Sequence, residues 1–401
     1  MAAFANGFLW VFSLAALLGV VGGALQDSSV FTAFAGPFTL FAILYVLAMS
    51  ACLLWAPCLP KRVFVPACLL VGWEMVGALP LRFWAGPLWG QVSVSALELA
   101  IAIAAFAWLR GQTGRLGVTS AWLTERGPSF SLRSLLLRGA SVALALPFAL
   151  AVYAWVGAAS ALDHYTAGYM HLRSDGIWST QRTLARGDQR IVLVGMIHVG
   201  QSDFYADVLD GLPSDAVILA EGVSDSEGLL GELRYASVAD TFGLSEQAEA
   251  FPVHEGDVEG VDDSEPDVVS ADVDASEFTE DTRDVLVALG RLLAADSVPA
   301  QLAAWSSYEA ALSGPGVPAM VWHDILELRN ERLLEHVDAE LESHSLLVIP
   351  WGALHLAAID SALRERGFEQ GGEARERRAI AFPWAAADAP PDVPAAPPAA
   401  P

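Results

Sequence analysis

The chain has 401 residues, enough for two or three domains, and carries a formal net charge of −25 although 54 % of its residues are hydrophobic. Those averages conceal two unlike parts. Residues 1–162 hold eight basic side chains against four acidic ones, a net of +4, which leaves −29 for residues 163–401. Such acidity argues against nucleic-acid binding, because phosphate contacts need clustered Lys and Arg. Cys52, Cys58 and Cys68 all lie in the first part, so the second has neither a disulfide framework nor thiolate chemistry. Lys61 is the only lysine, a compositional bias rather than a functional signal.

The first part reads as an α-helical multi-pass membrane region over residues 1–162. Apolar segments at about 8–25, 37–59, 63–80, 88–109 and 140–162 each approach the ~20 residues that span a bilayer as a helix. The first lacks the basic start of a signal peptide and is followed by four more, so it counts as a membrane helix. Arg110, Arg115, Arg126, Arg133 and Arg138 flank or fill the loop before the last span, which the positive-inside rule places in the cytoplasm. Lys61 and Arg62 fall on the same side by parity. Five spans then put the amino terminus in the cytoplasm and the acidic domain outside it. Glu74 and Glu98 lie within the apolar region and raise the idea of a proton or ion path. With no basic partner in the spans, an anchor or assembly role is preferred to a transporter.

Residues 163–384 read as an α/β domain with a mixed sheet. Asp163 to Arg173 forms an aromatic-rich juncture with His164, Tyr165, Tyr169 and His171, suited to a membrane interface. Residues 176–186 and 189–195 predict a β-hairpin turned at Gly187-Asp188. The second strand, Ile191–Val194, runs into Gly195-Met196-Ile197-His198, and a helix starts at Ser202. Ala216–Ala220 predicts another buried strand, ending in Glu221-Gly222. A helix is expected over about 226–249. Residues 252–281 are densely acidic but match no EF-hand loop, so a solvated loop is expected there. Within it, residues 268–274 predict a short strand whose Asp residues reach the edge of a site. Helical periodicity follows at about 283–295 and 319–343, with Arg329-Asn330 inside the second helix. Leu346–Pro350 predicts a further buried strand, running into Gly352-Ala353-Leu354-His355 and a helix that stops at Gly367. A last strand is expected over 376–384. The Ala/Pro-rich tail, 385–401, cannot build a core and is expected to be disordered.

Two strand–Gly-x-x-His–helix units therefore stand in one chain, ending at His198 and His355. A glycine at a strand end allows a sharp turn and a close approach to a ligand. If both strands share a sheet, both imidazoles can face one cleft with Glu221 at the end of a third strand. Two His and one Glu suit a divalent metal with positions open for water, and such a metal would activate water and polarise a carbonyl. Arg329, permanently charged, could bind a carboxylate or an oxyanion. The bland alternative is that each histidine only bonds its own loop. His-Glu-x-x-His and Gly-x-Ser-x-Gly are both absent. His254, His323, His336 and His344 read as surface residues.

The motifs VGMIHVGQSDFY, AVILAEGV, the stretch from Gly243-Leu244 to Gln247, ADVDASEF, LRNERLLEHV and WGALHLAAIDSALRERGF, in this order, resemble the TraB/PrgY–Tiki family. That group is related to GumN-like proteins and to the erythromycin esterase and ChaN-like fold. The resemblance covers roughly residues 176–384. It implies an active centre at His198, Glu221, Arg329 and His355, with Asn330 beside Arg329. It further implies metal binding by His198, His355 and Glu221, and a catalytic part for Glu221, Arg329 and Asn330. In Tiki proteins such a centre supports metal-dependent proteolysis of secreted signalling proteins, with manganese or cobalt implicated; zinc is a further candidate. In erythromycin esterases a His acts as general base without an evident metal. Pro350-Trp351 before the second glycine, the acidic insert and the several preceding helices depart from the pattern. The expectation is a membrane-anchored hydrolase, peptidase-like, acting on an extracytoplasmic peptide or protein. The alternatives are a non-catalytic peptide- or ligand-binding module and a metal-independent, esterase-like hydrolase.

Overall fold

The computed structural model describes residues 1–25, 29–210, 212–213, 215–230, 244–247 and 266–385. The chain divides into two compact units at Ala161/Leu162. The first is helical: α1 (Ala2–Leu25), α2 (Ser29–Trp55), α3 (Lys61–Met75), α4 (Leu81–Thr113), α5 (Ser120–Arg126) and most of α6 (Leu132–Tyr165). Phe8, Phe12, Met49, Phe64 and Leu109 belong to its core. Among the described residues, three stretches are long and apolar enough to cross a membrane: Ala2–Gly23, Leu88–Thr113 and Leu132–Tyr165. The sequence suggested five. Leu40–Trp55 falls short of full span length among the described residues, and α3 has only 15 residues, against the ~20 that a bilayer requires. Gly86, at φ +76°, kinks α4 near its start.

The second unit is built on an eight-stranded mixed sheet. Its strands are β1 (Met170–Arg173), β2 (Gly176–Arg186), β3 (Gln189–Met196), β5 (Val217–Ala220), β7 (Asp267–Ser270), β8 (Leu346–Gly352), β9 (Glu369–Gln370) and β10 (Arg375–Ala381), and the main path runs β1-β2-β3-β8-β5-β7. The expected hairpin is β2–β3, antiparallel, turned at Gly187 with φ +61°. β3, β8, β5 and β7 run parallel, with β8 between β3 and β5. β3, β5 and β8 are near-continuous apolar runs because both faces of this parallel core are covered. Ile191–Met196 and Val217–Ala220 are buried throughout. β7 carries Asp267 and Ser270 exposed, the polar character of an edge strand. β4 (Val199–Gly200) and β6 (Ser245–Glu246) form a small separate antiparallel pair.

Helices cover the sheet. In α7 (Ser202–Leu209), Phe204, Tyr205 and Val208 turn inward. Next come α8 (Glu280–Leu293), α9 (Val298–Leu312) and α10 (Val317–Trp322). A π-helical turn, His323–Leu328, then leads into α11 (Arg329–Glu340), and α12 (Ala353–Glu365) follows β8. α12 ends before Gly367, whose φ of +86° suits a helix-terminating glycine. Asp324, inside the π turn, accepts from the Thr279 N–H (2.8 Å) and hydroxyl (2.7 Å), tying the turn to the start of α8. The expected helix over 226–249 and the acidic loop before 266 fall largely outside the described residues, as do His254 and the tail 386–401. The last strand begins and ends slightly earlier than expected, and α9 and β1 had no counterpart in the sequence reading.

Candidate active site at the ends of four parallel strands

In a parallel sheet, ligands bind beyond the carboxyl ends of the strands. Here each of four neighbouring parallel strands delivers one polar side chain there. His198 follows β3, Glu221 follows β5, Asp272 follows β7, and His355 lies in the first turn of α12 after β8. Arg329 and Asn330 come from the opening turn of α11. They sit above Leu333 and Val337 on the face that this helix buries, so the packing that seats α11 also aims its first residues inward.

Arg329 is the hub. Its Nε donates to Asp272 Oδ1 at 2.9 Å, and its Nη2 donates to Asp272 Oδ2 at 2.6 Å and to Glu221 Oε1 at 2.9 Å. Its Nη1 lies 3.4 Å from His355 Nε2. None of these four side chains is more than 9 % exposed. Glu221 Oε2 also accepts the Gly352 N–H at 2.5 Å. Asp272 is completed by the N–H groups of Gly222 and Val273, each at 2.9 Å. On the other side of His355, Nδ1 bonds Asn330 Oδ1 at 2.8 Å. That acceptor places the ring proton on Nδ1 and leaves Nε2 with its lone pair facing Arg329 and Glu221. Trp351 closes the floor, its ring edge-on to His355 at 5.2 Å and its Nε1 donating to Leu219 O.

The electrostatics follow from this packing. Burial, and then the neighbouring guanidinium, pushes the His355 imidazole down to about 4, so it is neutral at pH 7. Burial alone would push the Glu221 carboxyl up. The positive charges around it, Arg329 first, and the Gly352 N–H outweigh that and hold it below the usual carboxylate range. Burial works against the Arg329 charge too, yet Asp272 and Glu221 raise its affinity for its proton above the ordinary value. Two carboxylates against one guanidinium leave the buried cluster one negative charge in excess.

His198 is exposed and lies close enough to Glu221 and His355 to influence both. Its main chain is held by Gln247, whose N–H donates to His198 O at 2.9 Å while Gln247 Nε2 donates to Pro350 O at 3.2 Å. One residue thus ties the loop after β3 to β8.

Of the residues expected from the sequence, Glu221, Arg329, Asn330 and His355 form one bonded cluster, and His198 lies at its exposed side. Asp272 was foreseen only as part of a strand whose acids approach the site; the signal was its position just past a short alternating run. The two motif glycines have a different reason from the sharp turn expected of them. Neither adopts a positive φ. A Cβ on Gly195 would lie 2.6 Å from Tyr169 O, and one on Gly352 would lie 3.3 Å from both Glu221 carboxylate oxygens. They are spacers that let backbone and carboxylate approach.

Would the cluster suit a divalent metal? Its excess negative charge does. So does the 3.6 Å between Glu221 Oε1 and His355 Nε2, since two donors ~2.1 Å from one tetrahedral ion lie about 3.4 Å apart. The third expected ligand, His198, is near, but among the described residues no group of three His, Cys, Asp or Glu is already assembled around one point. Elsewhere, His323 pairs with Glu327 and His344 with Glu340 on helix surfaces, as expected of surface histidines. In the helical unit, the carboxyl groups of Glu74 and Glu98 lie close enough to influence each other, so the two acids are not isolated.

No family model, curated protein or solved structure matches the chain. The likeness to the TraB/PrgY–Tiki group therefore rests on the motifs alone.

Proposed function

We propose that this chain is a membrane-anchored hydrolase, a divalent-metal-dependent peptidase of the TraB/PrgY–Tiki type, acting on a peptide or protein outside the cytoplasm. The observation that carries the reading is the Glu221–Arg329–His355 cluster, buried at the carboxyl ends of parallel strands with one histidine exposed beside it. A metal held by His198, His355 and Glu221, with manganese or cobalt favoured by the resemblance and zinc a third candidate, would supply an activated water and a polarised carbonyl.

The chain's own residues have separable tasks. Asn330 fixes the His355 tautomer so that Nε2 offers its lone pair. Glu221, pinned by Arg329 and the Gly352 N–H and held weakly basic, suits a ligand or an orienting group better than a general base. His198, open to solvent, would complete the metal site from its accessible side, and in the metal-independent reading it is the general base instead. Arg329 spends its Nε and Nη2 donors on the two carboxylates, which leaves an Nη1 donor to stabilise a developing oxyanion. The same guanidinium supports a second reading, a metal-independent, esterase-like hydrolase, because it already supplies a fixed cation at the centre.

The loop before α6 supports the extracytoplasmic side. Arg115 and Arg126 lie between the apolar runs ending at Thr113 and starting at Leu132, so the positive-inside rule assigns the domain after α6 to the opposite side however many spans precede it.

The test is cleavage of a peptide and ester library by the full chain in detergent, read by mass spectrometry. The protein is stripped of metal, then reloaded with manganese, cobalt or zinc, and compared with His198→Ala. Turnover that needs metal and is abolished by the substitution supports the peptidase. Turnover that needs His198 alone supports the esterase-like reading. Activity indifferent to both, or stoichiometric binding without product, overturns the hydrolase.

A further inference from the structure

Helix α9 turns part of its apolar surface outward. Ala304, Tyr308, Ala311 and Leu312 are half-buried on one side of the helix, which packs with α8, while the large apolar side chains of its first half are exposed. Val298, Leu302 and Trp305 stand at helical spacing on the outer face, 68 %, 66 % and 54 % exposed, and no residue of the helix is fully buried. In α10, Trp322 is 56 % exposed. From Ser297 to Trp322 the single charged side chain is Glu309, in a domain that is otherwise strongly acidic. A helix clad in apolar side chains belongs in a core or against an apolar partner, and a contiguous exposed patch marks an interaction surface.

We propose that the outer face of α9, with Trp322 of α10, lies in the interfacial layer of the lipid bilayer. The inference rests on the membrane-anchored reading given above and extends it to the soluble domain. Three observations choose lipid over other occupants. The chain enters this domain from α6, an apolar helix of 34 residues, and only residues 166–169 separate its end from β1, so the domain is tethered at the surface that α6 leaves. Confinement of that kind makes a weak apolar contact sufficient, because the second contact is intramolecular. The surface itself lacks the charges that would oppose entry, and Trp is a side chain favoured at membrane interfaces. With 15 residues, α9 is also too short to cross a bilayer, which takes ~20, so it lies along the interface.

The experiment places a fluorophore on the chain, with Cys52, Cys58 and Cys68 changed to Ser, through Trp305→Cys, Leu144→Cys or Asp188→Cys. The labelled chains are reconstituted into phosphatidylcholine vesicles containing spin-labelled lipid. Leu144, 83 % exposed on α6, reports the anchor, and Asp188, on the β2–β3 turn, reports the acidic surface. The expected result is loss of fluorescence at positions 305 and 144 and none at 188. Loss at 144 without loss at 305 overturns the inference and leaves the anchor standing. No loss at either position overturns both. Disulfide cross-linking between unlabelled Trp305→Cys chains, in place of lipid quenching, would assign the face to a second copy and also overturn it. If the cysteine-free chain fails to fold, hydroxyl-radical footprinting of the unmodified chain reads the same question. Trp305 must be oxidised less in vesicles than after detergent extraction, and equal oxidation overturns the inference.

Discussion

At the scale of single residues, the centre is a problem of charge kept out of water. A buried ion pair holds together only when its remaining donors and acceptors are also satisfied, and Asp272 meets that condition by accepting from Arg329 and two main-chain N–H groups. His355 pays by giving up its charge. Its affinity for a proton is lowered in the folded state, to about 4 from the ordinary 6.5. Between those values the unfolded chain binds more protons than the folded one, so stability must fall as pH drops through this window. The shift corresponds to about 3 kcal/mol at the bottom of the window for the metal-free protein, as an upper bound on one group. Glu221, also held below its ordinary range, acts in the same direction at lower pH. Thermal unfolding followed from about pH 7.5 down to about pH 4, which brackets the window, should show this loss. His355→Gln should flatten it; an unchanged slope in that variant would assign the loss elsewhere.

At the scale of elements, what could be read from the sequence and what could not have separate causes. β3, β5 and β8 were legible because parallel strands buried on both faces must be continuous apolar runs. The β2–β3 hairpin was legible from Gly187-Asp188, and α12 from its periodicity and its terminating glycine. Of the cluster, His198, His355 and Glu221 were legible from their places after those runs. Asp272 was only half legible, because β7 is a polar edge strand that lacks such a run. Helix α9 was not read at all. Val298, Leu302 and Trp305 are exposed while Tyr308 and Leu312 are half-buried, so its apolar residues are not gathered on the one inward face by which a surface helix is recognised. The nearness of Glu74 to Glu98 was hidden for a different reason, since the two stand on different helices and no local pattern encodes it. The motif glycines show how a correct residue can carry a wrong reason, being conformationally ordinary but sterically obligatory. Gly195→Ala would drive a methyl against the Tyr169 carbonyl, and the backbone on both sides would have to move. A cost of about 1–3 kcal/mol is expected, as for overpacking of a well-filled core, measurable as a lowered unfolding temperature; no change would mean that β1 and β3 yield freely.

At the scale of the whole molecule, the separation of charge between the two parts of the chain has a directional meaning. If the helical part spans a membrane as proposed, the arginines of the loop before α6 mark the cytoplasmic side, and the acidic domain after α6 is expected across the membrane from them. Arg126→Cys and Asp188→Cys in a cysteine-free chain should therefore differ toward a membrane-impermeant maleimide on intact cells. The Asp188 variant should be labelled at once and the Arg126 variant only after permeabilisation. The opposite pattern would put the domain in the cytoplasm and end the extracytoplasmic reading.

The π turn from His323 to Leu328 has one more consequence. A π turn inside a helix is equivalent to a single inserted residue, and the two residues that follow it are Arg329 and Asn330. Removing one residue from the turn would restore a regular α-helix and rotate everything on one side of it by about 100° relative to the other. The deletion would leave composition, charge and helix content almost untouched, yet Arg329 and Asn330 could no longer both meet their partners while Asp324 still holds Thr279. The centre thus depends on the length of one helical turn as well as on the identity of its side chains.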